Sequence, residues 1–116
     1  MQTSILNTIK HMLAVTVEET AFDVDIVVGI NSAMMFLSQI GVGPDGFVIS
    51  DADDNWSDLL GDATNLESVK SYVYLKTRLL FDPPATSFVL SAMQTQIAEL
   101  EWRLAIQAEG SPPNVP

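Results

Sequence analysis

Hydrophobic residues recur at the spacing of an amphipathic helix in four segments of the chain. These segments are residues 4–14, residues 20–40, residues 66–81 and residues 87–108. Between the second and third lies Phe47-Val48-Ile49, which has the composition of a strand but is too short to form a sheet alone. The pattern predicts an all-α fold. We expect a small bundle of about four helices, with a long loop or short β segment between helices 2 and 3.

A proline pair separates the last two predicted helices. Pro83 has no N–H and disfavours helical geometry at Asp82, so the third helix must end there. Thr86 or Ser87 follows Pro84 and can cap the free amides of the fourth helix. Asp82, Pro83 and Pro84 are therefore expected to have a structural role, as the corner between two long helices.

Each predicted helix has one apolar face, and we expect the third helix to be central because its apolar arc is the widest. Lys76 lies within that arc and must extend to solvent or meet a carboxylate. At the helix starts, Thr20 to Asp23 has the spacing of a capping box, and Asn65 is a candidate cap. The predicted core residues are Ile5, Leu6, Ile9, Met12, Leu13, Phe22, Ile26, Ile30, Ala33, Leu37, Ile40, Leu66, Val69, Tyr72, Val73, Leu75, Leu79, Leu80, Val89, Leu90, Met93, Ile97, Leu100 and Leu104.

Two helices carry apolar residues on a second face. In helix 2 these residues are Val24, Val28 and Met35, which indicate a subunit interface, an additional core layer or simple exposure. In the last helix they are Phe88, Trp102 and Ile106, with Glu99 and Arg103 between them at ion-pair spacing. A Trp beside an Arg is typical of binding surfaces, and the alternative is packing against the N-terminal helix.

The most acidic stretch, residues 51–58, follows the short β candidate. Asp51, Asp53, Asn55, Ser57 and Asp62 match ligand positions of a calcium loop, but the central Gly is replaced by Trp56 and the final Glu by Asp. The alternative is a solvated acidic loop that closes on a hydrophobic anchor formed by Trp56, Leu59 and Leu60. A calcium-binding module and a generic helical interaction module therefore remain open at this point.

Composition excludes several classes of function. The net charge is −10 and the five basic residues are scattered, which argues against direct binding of nucleic acid. We found no cysteine, no apolar run long enough for a membrane span, and none of the motifs of catalysis or cofactor binding. The single histidine, His11, falls on the polar face of helix 1 and is expected to be solvated. No enzyme activity and no cofactor are expected.

The chain length indicates one domain, residues 1–109. Residues 110–116 form a Pro-rich tail that we expect to be extended and able to dock along a partner.

Several stretches resemble the head–tail connector, or adaptor, proteins of long-tailed bacteriophages. They occur in the family's order: Asp25-Ile26-Val27-Val28-Gly29-Ile30-Asn31-Ser32-Ala33, Leu37-Ser38-Gln39-Ile40-Gly41-Val42, Asn55-Trp56-Ser57-Asp58-Leu59-Leu60, Tyr74-Leu75-Lys76-Thr77-Arg78-Leu79-Leu80-Phe81-Asp82-Pro83-Pro84 and Ile97-Ala98-Glu99-Leu100-Glu101-Trp102-Arg103-Leu104. The acidic run from Asp51 to Asp54 departs from the family. The resemblance implies a structural virion protein of the neck, made in the host cytoplasm. It also implies a homo-oligomer, by analogy a dodecameric ring under the portal, which joins the filled head to a stopper or tail-completion protein and lines the channel through which DNA passes without specific binding.

The resemblance also implies roles for particular residues. The expected portal interface consists of Phe88, Glu99, Trp102, Arg103, Ile106, Pro112 and Pro113. The expected subunit interface consists of Val24, Val28, Met35 and Arg78. The expected surface toward the channel or stopper consists of Phe47, Val48, Ile49, Asp51, Asp53 and Asp54. Trp56 and Lys76 join the residues of the proline corner in structural roles.

Overall fold

A computed structural model describes residues 3–61 and 66–110 of the chain. In this part it contains five helices: α1 (Ile5–Met12), α2 (Asp23–Gln39), α3 (Trp56–Leu60), α4 (Leu66–Phe81) and α5 (Ser87–Gly110). The predicted all-α bundle is confirmed. The helix α4 has the predicted bounds, and α5 extends to Gly110, the first residue assigned to the tail. The proposed cap Asn65 and the tail residues 111–116 lie outside the described residues.

The helix α4 is central, because α1, α2 and α5 all pack against it. The helix α2 runs antiparallel to α4, with the rings of Phe22 and Phe81 in contact at one end and those of Phe36 and Tyr72 further along. Between these contacts the two backbones approach closely at Gly29. A Cβ atom added there would lie only 2.9 Å from Cγ2 of Thr77. Glycine at this position therefore allows the two helices to pack this closely.

The predicted core is mostly correct, and its errors occur at helix ends. Ile5, Ile9, Ile30, Val73 and Leu104 are among the buried apolar residues. Four predicted core residues are instead exposed: Met12, Phe22, Leu80 and Val89. Each lies in the first or last turn of a helix or immediately before it. Periodicity identifies the inward face of a helix but not where the neighbouring helix ends.

The start of the chain is attached to the segment before α3. Ser4 forms an isolated antiparallel bridge with Asn55, and the N–H of Trp56 donates to the carbonyl of Thr3 at 3.0 Å. The indole N–H of the buried Trp56 donates to the Thr8 hydroxyl at 3.0 Å. Asn55 and Asp58 form a reciprocal capping box at the start of α3. The predicted Trp56 anchor is therefore confirmed, and it links α3 to α1.

The capping box predicted for α2 does not form. The helix begins at Asp23, and the residue before it, Phe22, has no capping side chain. The carboxylate of Asp23 instead bonds to Lys10. The cap predicted for α5 is confirmed, because the N–H of Val89 donates to the Thr86 hydroxyl at 3.3 Å.

Candidate protein-interaction surfaces

The outer side of α5 is an exposed apolar surface. The α5 face consists of Phe88, Glu99, Trp102, Arg103 and Ile106. The side chains of Phe88 and Trp102 are 84% and 66% exposed, and Ile106 is also exposed. Arg103 donates to Oε2 of Glu99 through Nε at 3.2 Å and Nη2 at 2.9 Å, as the spacing predicts. The alternative interpretation, in which Trp102 is buried against the N-terminal helix, is wrong.

A half-buried polar contact holds the inner side of α5 on α4. The hydroxyl of Tyr72 donates to Oε2 of Glu101 at 2.8 Å, and Lys76 lies 3.8 Å from the same oxygen. Burial of Tyr72 raises its pKa well above the usual range, and the hydrogen bond to Glu101 and the charge of Glu101 raise it further. Lys76 therefore meets a carboxylate, as its place in the apolar arc requires.

The outer side of α2 carries a second apolar surface. The α2 face consists of Val24, Val28 and Met35, and all three are exposed, Val28 at 61% and Met35 at 65%. The helix positions them outward because its inner side is occupied by Ile26, Ile30 and other buried residues that pack on α4. The interpretation as an additional core layer is therefore wrong within this protomer.

Of the two alternatives for the segment after α2, the structure shows the loop and not the short β segment at residues 47–49. Asn31 binds both backbone groups of Ile49, because its Oδ1 accepts from the N–H at 2.8 Å and its Nδ2 donates to the carbonyl at 3.0 Å. The side chain of Asn31 thus takes up the N–H and the carbonyl of Ile49, which would pair with a neighbouring strand in a sheet. Ile49 is buried, which contradicts its expected place on an exposed surface, whereas Phe47 is half-buried and Val48 is exposed.

The acidic loop is partly folded on itself. Asp54 accepts from the N–H of Ser50 at 2.7 Å, and Asp51 accepts from the N–H of Asp53 at 2.8 Å. Asp54 therefore has a structural role, while Asp51 and Asp53 are exposed. Within the described ranges, no group of three or more acidic or histidine side chains converges as metal ligands would. Asp62, the last position of the calcium pattern, lies outside those ranges.

The buried charge of the fold was not predicted. Lys10 is almost fully buried, and its Nζ donates to Oδ1 of Asp23 at 2.7 Å and to the carbonyls of Glu19 and Val17 at 2.7 and 3.1 Å. The bonds hold the connection between α1 and α2 against α1. Local periodicity carries no signal for this lysine, because its acceptors come from the loop and from the residue that begins α2.

Arg78 differs from the other basic residues. It is half-buried, and it donates to the carbonyl of Asp82 at 3.3 Å and to the hydroxyl of Tyr74 at 3.4 Å. In residues 3–61 and 66–110, each of the other four basic side chains forms an ion pair with a carboxylate, and Arg78 forms none. The structure does not bring Arg78 onto the α2 face. The remaining expected portal residues, Pro112 and Pro113, lie outside the described residues.

The fold and these surfaces define a small all-α protein that exposes apolar helix faces to solvent. A protein-family model described as phage connector protein matches residues 5–111. The chain belongs to this family of phage head–tail connectors, which are structural proteins of the virion neck that contact other head and tail proteins. No curated protein and no solved structure matches the chain in the corresponding comparisons. None of the described helices combines the length and apolar character needed to cross a membrane.

Proposed function

We propose that the chain is an adaptor of the phage neck that forms a ring under the portal. In this role it joins the DNA-filled head to the stopper or tail-completion protein. Membership of the connector family supports the connecting role, and one observation carries the more specific proposal. The long helix α5 packs on α4 through one side and presents large apolar residues on the other. Such residues are typical of the centre of a protein interface.

The proposed contact with the portal is the α5 face. Trp102 and Ile106 provide apolar area, while the ion pair between Arg103 and Glu99 neutralises the polar side chains between them. Trp and Arg are both enriched among the residues that dominate binding energy. The Pro-rich segment with Pro112 and Pro113 extends the proposed contact beyond α5, because an extended segment docks with little loss of entropy.

The α2 face and the turn with Phe47 and Val48 are proposed to contact neighbouring subunits or the stopper. We propose that Arg78, on α4, contacts a neighbouring subunit, because it forms no ion pair with a carboxylate in the described part of its own protomer. Asp51 and Asp53 are proposed to face the DNA channel. Carboxylates at that position repel the phosphate backbone and prevent DNA from binding during ejection.

Attachment to purified filled heads tests the α5 contact. The heads come from infections that lack the chain, and the purified variant Trp102→Ala with Ile106→Ala is added to them. We expect this variant to remain folded, since both residues are exposed and Ala favours a helix. We expect its co-sedimentation with heads to be abolished.

The control is Leu80→Ala with Val17→Ala, which removes exposed apolar side chains outside the α5 face. This variant should bind heads as the unmodified chain does. Normal attachment and normal tail joining by the Trp102 and Ile106 variant would refute the assignment of the α5 face.

A further inference from the structure

A preformed groove lies between α2 and the turn that follows it. We define the α2–turn groove by Val28 and Met35 on the helix and Phe47 and Val48 on the turn. Its volume is about 600 Å³. Side chains of α2 fix the turn at both ends, since Asn31 binds the backbone of Ile49 and the Ser38 hydroxyl accepts from the N–H of Gly46 at 2.9 Å.

The groove is apolar although it is open to solvent. Met35 and Val48 are exposed by 65% and 57%, and the hydrogen bonds at both ends hold the turn in this position. A groove fixed in the open form costs little entropy when a ligand binds. An exposed apolar surface of this kind is typical of a docking site.

Three carboxylates lie close to the α2–turn groove, in the surface that adjoins it rather than in its lining. The two cavities beside it share Val28 with it, and one of them contains Asp25 while the other contains Asp51. Asp45 lies at the end of the groove, where its Oδ1 accepts from the Ser38 hydroxyl at 3.3 Å. The lysine in one of these cavities, Lys10, is buried and paired with Asp23. The groove therefore has a mainly apolar lining, and the surface next to it carries negative charge.

The charge is unevenly divided along the chain. Residues 1–65 contain ten of the fifteen acidic residues and one basic residue, a formal charge of −9, whereas residues 66–116 contain five acidic and four basic residues, a formal charge of −1. Four of the five basic side chains are already paired within the described part of the protomer. In the described residues, a second copy of the chain therefore offers Arg78 as its one basic side chain without a carboxylate partner, and a single charge complements the groove poorly.

We propose that the α2–turn groove binds an apolar segment bordered by Lys or Arg, supplied by a different protein. The proposal rests on the proposed neck function, in which this surface contacts either a neighbouring subunit or the stopper. Complementary charge favours a partner other than the chain itself, and the apolar lining provides most of the contact area.

Calorimetry of the full chain with two synthetic peptides tests this. One peptide is an amphipathic helix of Leu and Lys, and the other has Glu at every Lys position. We expect the Lys peptide to bind with one-to-one stoichiometry and the Glu peptide not to bind. The affinity for the Lys peptide should fall severalfold between about 50 mM and about 500 mM salt, because screening weakens contacts between exposed charges.

Matched variants locate the binding. Met35→Ser with Val48→Ser should weaken binding about tenfold or more, whereas Val24→Ser, an exposed position outside the groove, should change it less than about twofold. Asp25→Asn with Asp45→Asn should weaken binding more than Glu67→Gln with Glu99→Gln, which removes the same charge from α4 and α5. Circular dichroism confirms that every variant is folded.

Three results would overturn the proposal: equal binding of both peptides, binding that the groove variants leave unchanged, or self-association of the chain that Met35→Ser abolishes. The last result would identify a second copy as the occupant. A negative result of the peptide experiment would leave the proposed neck function intact. That function is tested by attachment of the chain to filled heads, which depends on the α5 face and is measured separately.

Discussion

At the scale of single residues, Lys10 shows how one buried charge holds a connection in place. Its ammonium group has three acceptors, of which two are carbonyls of the loop between α1 and α2 and one is the carboxylate of Asp23. Replacing the lysine leaves these groups without a donor. The loop residues have no regular structure of their own, so the path of this connection depends on the lysine.

We predict that Lys10→Met lowers the free energy of unfolding by about 3 kcal/mol, because removing one member of a buried ion pair leaves the other uncompensated. Urea denaturation measures this loss. The control Lys70→Met removes an ion pair with the exposed Glu67 and should cost less than about 1 kcal/mol. Equal effects of the two changes would contradict the role assigned to Lys10.

Because of Tyr72, the stability of the folded protein depends on pH in the alkaline range. Burial and Glu101 raise the pKa of Tyr72 in the folded protein, whereas in the unfolded chain it titrates near pH 10. Above about pH 10 the unfolded state therefore loses a proton that the folded state retains, and stability falls as the pH rises.

We predict that Tyr72→Phe reduces this alkaline loss, although it removes the hydrogen bond to Glu101. Denaturation at about pH 9 and about pH 11 measures the difference, and Tyr74→Phe is the matched control on the same helix. If the Tyr72→Phe variant loses as much stability between the two pH values as the unmodified chain does, the proposed linkage is wrong.

At the scale of helices and loops, Pro83 and Asn31 explain why one helix boundary could be predicted while two alternatives for the next segment stayed open. The end of α4 could be predicted because proline acts locally, through its missing N–H and the restriction it places on Asp82. The strand at residues 47–49 could not be excluded in the same way. Its backbone groups bind the side chain of Asn31, which lies 18 positions from Ile49 in the sequence. No local pattern encodes such a contact.

The contact between α2 and α4 depends on Gly29. Ala at this position favours the helix by about 1 kcal/mol, but its Cβ would lie 3.1 Å from the backbone Cα of Thr77, which cannot rotate away. Overpacking costs about 1–3 kcal/mol, and a contact with backbone lies in the upper part of that range, at about 2–3 kcal/mol, because the two helices must separate to relieve it.

We therefore predict that Gly29→Ala lowers stability by about 1–2 kcal/mol, measured by thermal unfolding. Ser32→Ala, a half-buried change in the same helix, is the control and should not lower stability by more than about 0.5 kcal/mol. An unchanged or higher midpoint for Gly29→Ala would show that the helices are not held at this separation.

At the scale of the whole molecule, the exposure of side chains shows which apolar helix faces lie on the surface, a question that periodicity alone leaves open. The apolar residues on the second faces of α2 and α5 could be identified from their spacing, but that spacing is equally consistent with burial in a further layer. The structure leaves Val28, Met35, Phe88 and Trp102 exposed. The groove could not be predicted, because its two walls come from α2 and from a turn whose position depends on Asn31 and Ser38.

The uneven charge has a consequence for assembly as well. The half of the chain that contains the α2–turn groove carries most of the negative charge, while the half that contains the α5 face is nearly neutral. The two apolar surfaces therefore suit different partners. This difference fits the proposed role, in which the chain binds one protein on the head side and another on the tail side.

Electron cryomicroscopy of purified virions tests the central claim, that this chain connects head and tail. We predict density between the portal and the tail into which α2, α4 and α5 fit as a repeated unit, with the α5 face against the portal. Virions whose neck contains no density for this fold, and in which mass spectrometry detects none of the chain, would contradict the claim.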